Sequence, residues 1–176
     1  VVPGPIEQRT GGYIYDARVV SGLRELGWSV VVHSLAGAFP DPDARARASF
    51  ISTLAAISSG RRVVIDGLAM GAPPEPVLAD AARLRRLALV PHPLADDTDL
   101  SRGAQDRLVA LEREALAACA GVLVTSAFTA RRLRLYGVTE DRVRAVYPGT
   151  NRYEPAVGPG RAESPALLCV GSVTAR

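Results

Sequence analysis

Residues 87–126 read LALVPHPLADDTDLSRGAQDRLVALEREALAACAGVLVTS, and this stretch decides the fold class. Two apolar runs of strand length, Leu87–Val90 and Gly121–Thr125, stand at its ends. Between them lie Pro91-His92, an acidic loop, and a long helical stretch from about Ser101 to Ala118. Strands joined through a helix of that length pair in parallel, because only a crossover returns the chain to the starting edge. The stretch therefore reads as one unit of an α/β protein.

The alternation continues on both sides. Upstream, Arg62–Ile65 is a third strand ending at Asp66-Gly67, with a short helix across Val77–Leu84 after it. Earlier still, Asp41-Pro42 makes an N-cap and first-turn pair for a helix running to about Ile57. Trp28–His33 reads as the second strand. A helix from about Tyr13 to Leu26 carries Ile14, Ala17, Val20, Leu23 and Leu26 on one face, with Gly27 as its stop. Val1-Val2 is the tail of a first strand. Downstream, Ser126 opens a helix that ends at Tyr136-Gly137, and Val143–Tyr147 is a sixth strand.

The texture then changes. Pro148–Pro165 is rich in proline and glycine, shows no apolar period, and reads as a linker. Ala166–Val170 is one more strand-like run, without partners of its own. The expected division is a domain over 1–150, a linker over 151–165, and the first strand of a truncated second domain over 166–176.

Composition narrows the class. Of 176 residues, 48% are hydrophobic and 22% charged, which suits a globular protein with a substantial core. No apolar run approaches the ~20 residues that span a bilayer. The start, Val1-Val2-Pro3, shows neither a basic segment nor a cleavage site, although it also lacks an initiator methionine. Cys119 and Cys169 lack metal-ligand spacing and fit reduced core thiols in a cytoplasmic protein. Net charge is +3, the arginines are scattered, and aromatics make up only 5%, which speaks against a nucleic-acid binder.

In an open parallel sheet, ligands bind outside the carboxyl ends of the strands. Gly11-Gly12, Asp66-Gly67, His92 and Ser126 all fall on that edge. Paired glycines before a helix let a phosphate or sugar approach free backbone N–H groups, and they also serve as a plain turn. They are not the G-x-G-x-x-G of a dinucleotide-binding dehydrogenase. His92 can hydrogen-bond a sugar hydroxyl or hold a structural place, as can His33 after the second strand. Asp66 can bind hydroxyls or make turn chemistry. Asp97-Thr98-Asp99 has the form of a metal-binding Asp-x-Asp, the basis of an alternative metal-dependent transferase, yet it lies in a polar loop before a helix cap. Ser126 lacks the glycines of a nucleophile elbow, so capping is its first role. Glu112 either joins Arg113 on the surface or points toward the cleft.

Taken in order, these pieces resemble the family-4 retaining glycosyltransferases of the GT-B fold. The resemblance runs through Thr10-Gly11-Gly12, Leu26-Gly27-Trp28-Ser29-Val30 and Val90-Pro91-His92-Pro93-Leu94. It continues with Glu112 fourteen residues before Ser126, Tyr136-Gly137-Val138, Val146–Asn151, and Leu168–Ser172. It implies a Rossmann-like open parallel sheet with helices on both faces, as the N-terminal, acceptor-side half of a two-domain enzyme. It further implies transfer from a nucleotide-diphosphate sugar to a sugar, lipid or small-molecule acceptor, with no cofactor required and usually no essential metal. On that pattern His92 contacts the transferred sugar and Gly11-Gly12 lie near the donor diphosphate. Asp66, Glu112, Ser126 and Asn151 fall near the cleft. Asn151 stands where many relatives have aspartate. The paired glutamates of the donor half have no counterpart here, so the fragment is expected to be inactive alone. Relatives often modify lipids, which leaves peripheral contact with the inner membrane face open, and no basic amphipathic helix argues for it. A stand-alone ligand-binding or interaction module is the alternative.

Overall fold

The computed structural model describes residues 1–70, 74–79, 82–155 and 158. Four strands, β3 (Arg62–Asp66), β4 (Arg85–Val90), β5 (Gly121–Val124) and β6 (Val143–Ala145), pair side by side in sequence order. All three pairings are parallel. Two short strands, β1 (Val2–Pro3) and β2 (Ser34–Leu35), form a second parallel ladder. That ladder continues the sheet, since the Val1 amine donates to the Val64 carbonyl at 2.8 Å and the Asp66 N–H to the Val1 carbonyl at 3.0 Å.

The helices between strands are α1 (Gly11–Glu25), α2 (Ala44–Ala56), α3 (Gly67–Met70), α4 (Pro74–Ala79), α5 (Arg102–Ala117) and α6 (Ala127–Arg132). Connections from β2 through β6 all step the same way across the sheet, so right-handed crossovers lay their helices on one face. The link from β1 to β2 steps the opposite way and sends α1 to the other face. Burial along β3 agrees: Val63 and Ile65 are buried while Arg62 and Val64 are exposed. The main core accordingly lies beneath α2, α4 and α5, where Phe50, Leu54, Val77 and Leu116 meet Ile65, Ala88 and Val122.

Most sequence-derived elements are present, with instructive shifts. No ladder forms across Trp28–His33. The ladder with β1 pairs Val2 with Ser34 and Pro3 with Leu35, one step beyond the expected strand. Trp28 and Val31 are exposed. Of the apolar face read on α1, Ala17, Val20 and Leu23 are half-buried while Ile14 and Leu26 are exposed, and Asp16 is the one fully buried side chain. Gly27 does stop that helix, at φ 84°. Asp43, rather than Asp41, caps α2, its Oδ1 accepting from the Ala46 N–H at 2.7 Å. A one-turn 3-10 extension, Leu133–Tyr136, completes α6 before Gly137. The expected strand at Ala166–Val170 and most of the linker lie outside the described residues, as does Cys169. Cys119 is a buried free thiol.

Phe50 is fully buried at the joint of α2 and the sheet. Phe50→Ala is expected to cost about 3–5 kcal/mol, which urea unfolding followed by circular dichroism will show as a lowered midpoint.

Candidate functional site

Because every strand is parallel, the loops that follow β1, β3, β4, β5 and β6 all emerge on one edge. The candidate residues on that edge fall into three groups.

The first group surrounds a cleft of about 260 Å³ lined by Gly11, Ile14, Tyr15, Arg18, Pro148, Gly149 and Asn151. It brings the start of α1 against the chain leaving β6, and the Tyr15 hydroxyl fixes the two together by donating to the Val146 carbonyl at 2.9 Å. Thr10 precedes the helix without a side-chain cap, so the first N–H groups of α1 are left to other acceptors. A Cβ placed on Gly11 or Gly12 would meet nothing within 4 Å, and neither residue has a positive φ. The protein's own packing therefore does not demand glycine at either position. Such residues weaken a helix, by up to about 1 kcal/mol each in an interior. What they leave is open space before a positive helix end, with the Arg18 guanidinium beside it, which suits an anionic group. Asn151 lies across this cleft and its Nδ2 donates to the Tyr153 hydroxyl at 3.2 Å.

The second group is built on the loop after β4. His92 is half-exposed at the strand end, with Nε2 3.6 Å from Asp97 Oδ1. The loop beyond it is tied down on two sides. Glu112 is buried on α5, and its two carboxylate oxygens accept from the Leu94 and Ala95 N–H groups at 2.7 and 3.1 Å. It is neither a surface partner of Arg113 nor open to solvent; it caps the 3-10 turn Leu94–Asp96 and so holds the loop that carries His92. Burial pushes its pKa up to about 7, against the pull of the two amides. Asp96 receives Arg132 through Nε and Nη2, at distances of 2.6 to 3.0 Å, and the Tyr136 hydroxyl at 3.2 Å. The arginine holds that carboxyl below the usual range. Ser126 caps α6, accepting from the Thr129 N–H at 3.0 Å, and Thr129 Oγ1 in turn donates to the Pro91 carbonyl at 3.1 Å. Ser126 thus braces the same loop from the other side.

The third group lies under the start of α1. Asp66, at the end of β3, is buried and accepts from the Leu68 N–H through Oδ1 at 2.7 Å. Asp16 on α1 is also buried, neither of its carboxyl oxygens has a hydrogen-bond partner, and burial, with the Asp66 charge adding, pushes its pKa up to about 7. Sequence reading missed Asp16. The available signal is an acidic residue one position from the apolar stripe that Ala17, Val20 and Leu23 form.

Asp97 faces His92, Asp99 is exposed, and no cluster of three or more metal-ligating side chains occurs among the described residues. His33 is only partly buried, its carbonyl accepting from the Val2 N–H at 2.9 Å. No described helix is long and apolar enough to cross a membrane.

Neither the family models nor the curated proteins compared with this chain match it.

Glu112 supplies a test of the loop anchor. Its folded pKa is raised, so the folded state binds a proton more tightly than the unfolded chain does. Stability is then greatest at low pH and declines as pH climbs from about 4.5 to about 7. At pH 5 Glu112 is protonated and glutamine is its near-isostere, so Glu112→Gln is expected to change stability by less than about 1 kcal/mol there and to flatten part of the pH slope. Urea midpoints at pH 5 and pH 8 for both proteins check this.

Proposed function

We propose that this chain is the acceptor-side domain of a retaining glycosyltransferase of the GT-B kind, resembling family 4. The observation that carries the reading is the convergence of two distant stretches, Gly11-Gly12 and Pro148–Asn151, on one cleft. The resemblance had marked both on sequence grounds alone. Nothing in their local sequence requires them to meet, and the cleft between them has a helix N-terminus and an arginine for an anion. The braced, half-exposed His92 on the same sheet edge supports the reading further.

In this account the N–H groups at Gly11-Gly12 and the Arg18 guanidinium face the diphosphate side of a nucleotide sugar. Charge building on the leaving diphosphate is stabilised by such preorganised donors, which need no reorganisation as the bond to the sugar breaks. His92 faces the sugar being transferred, and its imidazole offers one donor and one acceptor to hydroxyl groups. Glu112 and Ser126 act on His92 through the loop and are positioning residues. Asn151 offers a neutral amide where a carboxylate would repel a diphosphate. The nucleotide itself is held by a second domain, so the 176 residues alone turn over no donor.

A panel of UDP-, GDP- and ADP-sugars incubated with the full-length protein tests the reading. One donor is expected to be hydrolysed or transferred with retention at the anomeric carbon, and His92→Ala to slow this by at least about a hundredfold. No turnover of any donor, or equal turnover by wild type and His92→Ala, counts against it. Tight ligand binding by the isolated chain together with no turnover by the full-length protein would favour a stand-alone binding module.

A further inference from the structure

We propose that Gln105 is a positioning residue: its side-chain amide closes the far end of the 3-10 turn Leu94–Asp96 whose near end Glu112 holds, and the two together fix the loop that carries His92. The bond stands on its own geometry; only the use of a fixed His92 in sugar transfer rests on the proposed function.

A helical turn leaves N–H groups unpaired at its start and carbonyls unpaired at its end, and both are costly when buried. Ala95, in the middle of this turn, is fully buried. Its N–H and that of Leu94 are taken by the Glu112 carboxylate. Within the turn, the Pro93 carbonyl accepts from the Asp96 N–H at 3.1 Å and the Leu94 carbonyl from the Asp97 N–H at 3.2 Å. The Ala95 carbonyl accepts from a side chain, Gln105 Nε2, at 2.9 Å. A carbonyl only accepts, so only the amide nitrogen of Gln105 can serve it. Gln105 and Glu112 stand seven residues apart on α5, two helical turns, which sets both on one side of the helix. The helix thus offers an acceptor where the turn has donors, and a donor where it has an acceptor.

The other ties on this loop act elsewhere. Thr129 reaches the Pro91 carbonyl, and Arg132 and Tyr136 reach the Asp96 side chain. Among the described residues, the side chains that bond to the backbone at 94 and 95 come from α5. Without Gln105 the turn can tilt about its Glu112 contacts, and His92, two residues before Leu94, tilts with it. A role in helix formation alone predicts something different. Gln105 lies near the N-terminus of α5, where an acidic side chain favours the helix dipole, so Gln105→Glu would then be neutral or stabilising. In the positioning role the same change is harmful, because a carboxylate has no donor for the Ala95 carbonyl and repels it. The two roles differ in sign.

Amide hydrogen exchange and histidine-ring NMR of the 176-residue chain, at about pH 7, test the inference. Gln105→Ala is expected to lower protection of the Leu94 and Ala95 amides about tenfold, and Gln105→Glu about a hundredfold, with β4 unchanged in both. The chain has two histidines, so each ring can be followed separately. The His92 ring resonances are expected to move in both variants, while those of His33, just before β2, stay in place. A Gln105→Glu chain whose turn is as well protected as wild type overturns the inference, since the bond is then not what holds the turn. Loosened amides beside an unmoved His92 ring overturn the positioning role. Protection lost equally in β4, or movement of both rings alike, overturns it too, because the effect is then on the whole fold. Neither readout involves a nucleotide sugar, so a failed donor panel counts against the proposed function and leaves this result intact.

Discussion

Parallel pairing is the constraint on which the rest of this structure depends. A parallel neighbour can be reached only by a crossover that returns to the starting edge, and each crossover here leaves its strand at the same end. Asp66, His92 and Ser126 belong to three different strand ends and still arrive on one edge. The chemistry is thus gathered by the hydrogen-bonding direction of the sheet before any side chain acts. Helices on one face then seal the core, while α1 alone among the described helices crosses to the other.

The loop after β4 shows how such an edge is made precise. A half-exposed histidine on a free loop would sample many positions. Here the loop that carries it is held by a buried carboxylate from α5, by an arginine and a tyrosine hydroxyl from the end of α6 through Asp96, and by a threonine from the first turn of α6 through the Pro91 carbonyl. Most of these partners reach backbone groups or Asp96 rather than His92 itself. The imidazole is left accessible while its carrier is fixed, which is the arrangement a ligand-facing group requires.

Much of this was legible in the sequence because it rests on local patterns. The strand Leu87–Val90, the helix capped by Ser101 and the strand Gly121–Val124 follow from run length, capping chemistry and period, and they appear nearly as read. Ser126 was legible as a cap for the same reason. Failures came where the outcome depends on a distant partner. Trp28–His33 has the composition of a strand, yet the ladder with β1 is formed by Ser34 and Leu35, a register that composition does not specify. Glu112 was open between a surface pair with Arg113 and the cleft, and only its bonds to the 94–95 backbone reveal a buried anchor. Asp16 was hidden because it borders the half-buried stripe of Ala17, Val20 and Leu23, where an acidic residue gives no apolar signal of its own burial.

The central claim is that the cleft between the start of α1 and the chain beyond β6 receives an anionic ligand. Titrating inorganic pyrophosphate into the isotope-labelled chain, with backbone amide NMR as the readout, tests it most directly. The account predicts saturable shifts at Gly11, Gly12, Gly149 and Asn151 that disappear in Arg18→Ala. Shifts confined to the separate cavity around Ala130, Arg131 and Arg134, or none that saturate at the α1 cleft, would contradict it.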